Sequence, residues 1–263
     1  MSPPGWPEYQ CIPSPAGSVP AIWRAPEPST PARPCAVLFA PPFAEEMNRT
    51  RRLMALTGQL LAARGIASLL PDLPGTGDCP LPFHAVTWSG WLDALDACAR
   101  HLSEQGLGLH LIGIRLGGLL AADAVARGLK AASLLLLDPV EDGRAHMRHW
   151  LRIRSAASLE IGPRITLGYL QAQLDAGNAV EIAGYEMGPN LVNHISTLKL
   201  APLLETAQSV PLERLDLIAP GLEPPPSAPG RRTLAVEAPW TLYQPAEPVA
   251  LAAALADMVE ARL

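Results

Sequence analysis

Gly113, Arg115 and Gly117 stand in the stretch LGLHLIGIRLGGLLA, Leu107 to Ala121: an apolar run, a glycine, a charged residue, a glycine, then a helix-like sequence. That order reads as strand, sharp turn and helix. It is the layout of a nucleophile elbow, G-x-S-x-G, whose strained turn holds a reactive side chain above a sheet. Here an arginine takes the serine's place. A guanidinium stays protonated and cannot attack a carbonyl. It could present a fixed cation to a carboxylate, phosphate or sulfate, helped by the amides that open the following helix. It could instead pair with Glu45, Glu46 or Asp138, since a buried unpaired guanidinium costs several kcal/mol.

A second chemistry-bearing stretch is PPFAEEMNRTRR, Pro41 to Arg52. It falls where folds with such an elbow build the oxyanion hole. Glu45 or Glu46 could serve there as acid or base, and Asn48 could donate or accept a hydrogen bond to a ligand. The plainer reading is helix initiation, with acidic residues favouring the helix dipole and the arginines forming surface pairs. Asp138, in LLDPVED, and Asp78, in PDLPGTGDC, border the same edge as further ligand-binding candidates. The latter loop is most simply one whose Asp side chains satisfy backbone amides.

The remaining reactive residues carry less. A Ser-His-Asp mechanism on this layout needs an acid after the next-to-last strand and a histidine after the last. The histidines are His84, His101, His110, His146, His149 and His194, and the last loop reads Glu237, Ala238, Pro239, Trp240. Lacking both nucleophile and histidine, the chain is not expected to use that mechanism, unless His194 reaches in and a serine comes from elsewhere. Cys79 has no local base to activate it. His146 and His149, three apart, have the spacing for a metal but no third ligand, so a surface pair is expected. Trp88 and Trp91 read as helix-face packing. Neither a metal nor a cofactor is expected.

The elements that must hold these residues follow from hydrophobic period. Extended segments at Tyr9 to Ile12 and Val19 to Arg24 predict an edge hairpin, with prolines confining it to the margin. Buried strands are expected at Ala36 to Ala40, Ile66 to Leu70, Leu109 to Ile112, Ala132 to Leu137, Leu212 to Ile218 and Thr233 to Val236. Helices are expected at Met47 to Arg64, Trp88 to Gln105, the segment after the elbow to Arg127, and Val249 to Arg262. Such alternation predicts a doubly wound, mostly parallel α/β sheet. From 141 to 208 the alternation breaks, with helices near Ala145 to Ala157 and Pro163 to Ala176. This reads as a helical cap inserted into a single domain spanning 1–263. Its segment EIAGYEMGP, Glu181 to Pro189, is expected to lie across the site.

With 263 residues and a net charge of -5, the chain can bury one large core and offers no broad basic surface for nucleic acid. No apolar run is long enough to span a bilayer, and the first residues, MSPPGWPEYQ, do not read as a secretory signal. Cys11, Cys35, Cys79 and Cys98 are scattered, which fits reduced thiols. The expectation is a cytoplasmic protein; the oligomeric state is left open.

PPFAEEMNRTRR, PDLPGTGDC, GIRLGGLLA, LLDPVEDGRAHMRHWLRIR and EIAGY together resemble the exosortase A system-associated hydrolase 2 family, over roughly residues 36 to 190. The resemblance implies a bacterial, cytoplasmic protein with the α/β-hydrolase fold, in the setting of PEP-CTERM protein sorting and exopolysaccharide. It also implies that arginine at the elbow is a shared feature. The resemblance implies no established substrate, and from the residues two functions are carried. One is an enzyme acting on an ester, thioester or acylated carbohydrate, with Arg115 stabilising an anion and Glu45 or Glu46 as acid or base. The other is a pseudoenzyme that binds an anionic small molecule or a protein partner.

Overall fold

The computed structural model describes residues 6–159, 164–226, 228–241 and 247–263. Pro163, expected to open a helix, lies outside the described residues, as do the first five of the chain.

The order is β1 (Glu8–Ser14), β2 (Gly17–Arg24), β3 (Cys35–Ala40), α1 (Ala44–Ala62), β4 (Ala67–Pro71), α2 (Trp88–Glu104), β5 (Gly108–Ile114), α3 (Leu116–Ala126) and β6 (Ser133–Leu137). Then come α4 (Gly143–Ala157), α5 (Leu167–Asp175), β7 (Val180–Ile182), β8 (Tyr185–Met187), α6 (Pro189–Ile195) and α7 (Leu200–Thr206). The chain closes with β9 (Leu212–Ile218), β10 (Arg231–Ala235) and α8 (Val249–Glu260). One eight-stranded sheet has the order β1-β2-β4-β3-β5-β6-β9-β10, and β7 with β8 forms a separate hairpin. The strands from β4 to β10 across the sheet are parallel, while β1 and β2 join antiparallel at one margin.

Continuous apolar strands need cover on both faces. β3, CAVLFA, is buried at every position. Its alternate residues divide between two cores: Ala36, Leu38 and Ala40 face the side of α2 and α3, and Cys35, Val37 and Phe39 face α1 and α8. α3 has no polar face, and each residue from Leu116 to Val125 is buried. Such a helix belongs in the centre of a layer.

Register then sets the site. Ala40 pairs with Gly113, and Ile114 pairs with Leu137, so β3, β5 and β6 end in a row. The residues that follow, Pro41 to Glu46, Arg115 and Asp138, therefore gather at one edge. α1 begins at Ala44 and not at the expected Met47, which brings Glu45 and Glu46 into its first turn. Elsewhere the observed ends differ from the expected ones by a few residues at most.

Candidate functional site

The elbow is built and it is strained. Arg115 has φ 54° and ψ -120°, between the last residue of β5 and the first of α3. A Cβ on Gly117 would lie 2.0 Å from the carbonyl oxygen of Ala40, so only glycine admits this approach of α3 to β3. Four non-glycine residues have positive φ among the described residues: Ala44, Arg115, Asp138 and Ala183. Arg115 and Asp138 directly follow neighbouring strands and Ala44 opens α1 at the same edge, and each such residue costs about 1–3 kcal/mol. Strain of this kind collects at functional edges.

The side chain of Arg115 is held from three sides. Its Nη1 donates to the Asp138 carbonyl at 2.8 Å and to Asp138 Oδ2 at 2.9 Å. Nη2 faces Glu46 Oε1 at 3.4 Å. Trp240 lies over the guanidinium, 5.0 Å from its ring centre, a cation–π contact. Trp240 comes from the loop after the last strand, the position from which a triad would bring its histidine.

The cluster is part-buried, with side-chain exposures of 20% for Arg115, 13% for Glu46 and 28% for Asp138. Burial pushes the Glu46 carboxyl above its usual range, and the adjacent Arg115 only partly offsets this. Asp138 is raised for the same reason, again opposed by Arg115. Arg115 Nε and Glu46 Oε2 are buried without a hydrogen-bond partner among the described residues. One cation thus sits between two carboxyls whose charge is disfavoured by burial. The arrangement can hold or exchange a proton on Glu46, and the elbow position itself carries a guanidinium that cannot attack a carbonyl.

The six expected site residues separate. Arg115, Glu46 and Asp138 come together. Glu45 turns along α1 instead, accepting from Arg49 Nε at 3.1 Å and Asn48 Nδ2 at 3.3 Å. Asn48 is exposed and donates to Tyr185 Oη at 2.8 Å, so the EIAGY hairpin does reach the start of α1. Asp78 is exposed, and its backbone amide donates to Asp72 Oδ2 at 2.9 Å, in keeping with a self-satisfied loop.

Other histidines are accounted for locally. His194 stacks on Trp88, with ring centres 6.0 Å apart. No group of three or more metal-ligating side chains gathers among the described residues. His146 corrects the expectation of a surface pair: it is 8% exposed, while His149 is exposed. Its Nε2 accepts from Trp150 Nε1 at 3.2 Å, and its ring packs 5.8 Å from Phe43. Burial, then the charges of Arg115 and His149, depress its pKa to about 3, so the imidazole is neutral. Phe43 also contacts Phe83, Trp91 and Trp150, and these rings make an apolar layer beside the loop after β3. Of this group Trp91 reads from the sequence as helix-face packing; the i, i+4 spacing of His146 and Trp150 is a further signal that could have found it.

No protein-family model and no curated protein matches the sequence. Solved structures do match. Est1E from Butyrivibrio proteoclasticus superposes with a TM-score of 0.65 at 13% identity, over 97% of this chain and 98% of that one. A structure of Est1E with ferulic acid bound gives 0.64 at 16% identity, over the same 97% and 98%. Proline iminopeptidase from Mycobacterium smegmatis gives 0.59 at 15% identity, over 97% of this chain and 98% of that one. A shorter match, XC6422 from Xanthomonas campestris, spans 53% of this chain and 64% of that one at 20% identity and a TM-score of 0.46. At these identities the likeness carries the fold alone: the chain has the α/β-hydrolase fold.

Proposed function

We propose that this chain is a non-catalytic α/β-hydrolase-fold protein of the exosortase-associated hydrolase 2 type, acting by binding and not by cleaving a bond. The observation that carries this reading is the closure of Arg115 by Glu46, Asp138 and Trp240 at the place of the nucleophile. A cation already matched by two carboxyls has little attraction left for an anionic substrate. The pseudoenzyme works in the bacterial cytoplasm, and residues 141–208 act as a cap on its single domain. A small molecule or acylated carbohydrate is the ligand class; small ligands have precedent on this fold in the complex of Est1E with ferulic acid.

One observation favours a second reading. The raised carboxyl of Glu46, with Oε2 unpartnered, has the character of a general acid or base. In that reading Glu46 and Arg115 turn over an ester or thioester without a triad.

Hydrolysis of short-chain p-nitrophenyl esters and acyl thioesters separates the two. Wild type, Arg115→Ala and Glu46→Ala are assayed, with thermal stability recorded for each. The expected result is no turnover above background by the wild type. Turnover that vanishes in both folded variants would establish the enzyme and overturn the binding reading.

A further inference from the structure

α4 carries Arg144, Arg148 and Arg152 at successive i, i+4 positions, all exposed, on one face. None of the three has an ion-pair or hydrogen-bond partner among the described residues, whereas Arg154 on the same helix reaches Glu181 at 3.9 Å. Unmatched guanidiniums stand out on a chain of net charge -5, where carboxylates are in excess.

Two of them line a hollow. α4, α5 and α6 enclose a cavity of about 560 Å³ whose walls include Arg144, Arg148 and Asn193 together with Met147, Leu151 and Val192. The three apolar residues are buried and belong to the main core, so the floor is fixed by packing. The α4–α6 wall is fixed too: a Cβ on Gly143 would lie 1.9 Å from the Ile195 carbonyl oxygen, so α4 and α6 meet backbone to side chain-free backbone. A concave site of this size suits a small molecule, and its lining is divided into a cationic rim and an apolar floor.

The geometry points to a binding site here for an aliphatic phosphate monoester, with the phosphate on Arg144 and Arg148 and the chain laid along half-buried Leu167 over the packed floor of Met147, Leu151 and Val192. Guanidiniums grip phosphate through paired N–H donors, and an apolar floor adds affinity only for a ligand with a hydrocarbon body. Asn193 supplies a neutral donor at the same rim. This goes beyond the binding reading above and uses none of the elbow residues, so a failed esterase assay leaves it standing and its own failure leaves the elbow unaffected.

The test is isothermal titration of the full chain with octyl phosphate kept below micelle formation, beside inorganic phosphate, octyl glucoside and phosphatidylglycerol vesicles. The expected result is saturable one-to-one binding of octyl phosphate, at least about tenfold weaker in Arg144→Ala/Arg148→Ala, as loss of charge-assisted hydrogen bonds requires. Inorganic phosphate and octyl glucoside are expected to bind at least about tenfold more weakly than octyl phosphate. Because both arginines are exposed and unpartnered, the double variant is expected to keep its melting temperature. The proposal is overturned if octyl phosphate does not bind, if octyl glucoside or inorganic phosphate binds as well, or if the double variant binds unchanged. It is also overturned if only vesicles bind, which would make the arginine face a membrane-docking surface.

Discussion

The arginine at the elbow and the arginines of α4 have the same chemistry and opposite circumstances. Arg115 is strained, mostly buried and held by two carboxyls and an indole. Arg144, Arg148 and Arg152 lie on a relaxed helix, exposed and unmatched among the described residues. A guanidinium becomes a recognition group when its charge is left unanswered and a structural one when the fold answers it. The elbow position is thus the closed one, and the unmatched guanidiniums lie on the segment between β6 and β9.

The comparison is broken most directly by truncation. Arg115→Ala leaves Glu46 and Asp138 buried without their cation and should lose about 3–5 kcal/mol in urea unfolding, as breaking one side of a buried pair does. A loss within about 0.5 kcal/mol would make Arg115 a surface-like residue and erase the contrast.

A second effect lies beside the elbow, in His146. Its pKa is about 3 in the folded chain and near the ordinary 6.5 when unfolded, so the unfolded chain binds the extra proton. Its contribution to stability is complete above pH 6.5 and is lost as pH falls towards 3. Against His146→Gln, the wild type should lose on the order of 4 kcal/mol more across that window. Parallel pH profiles of the two proteins would mean that the ring is not buried neutral.

Glu46 titrates with the opposite sign. Its folded pKa lies above the ordinary 4.5, so its stabilising contribution is present below 4.5 and lost as pH rises through the folded value. Relative to Glu46→Gln, the wild type should therefore weaken as pH is raised from 4.5 through the folded value. A difference that does not change with pH would remove the burial argument for this carboxyl.

The smallest effect belongs to α4. Arg144→Ala and Arg148→Ala should each change stability by less than about 0.5 kcal/mol, measured by the same unfolding curves. A larger loss would mean that these arginines are answered after all.

The sheet was legible because its central strands are largely apolar runs, as in β3, β5 and β6, while β9, LERLDLI, keeps apolar residues among charged ones. The elbow was legible because the glycine spacing is kept with arginine in the serine's place. Which acid would meet Arg115 was not. Neighbours on a helix point about 100° apart, so the start of α1 at Ala44 decides that Glu46 turns inward while Glu45 turns to Arg49. Trp240 could be assigned to the last loop but not to the face of the guanidinium, which needs the path of the chain after β10. His146 was misread because the period of α4 marks an apolar face but not what covers it; Phe43, from the loop after β3, does so.

The most direct test of the closed elbow is a double-mutant cycle on Arg115→Ala and Asp138→Ala, read by urea unfolding. The account predicts a large loss for each single variant and a coupling of at least about 1 kcal/mol between them, since both remove the same 2.9 Å contact. Single losses that simply add, or an Arg115→Ala protein as stable as the wild type, would contradict it and return Arg115 to the role of an open cation at the mouth of the site.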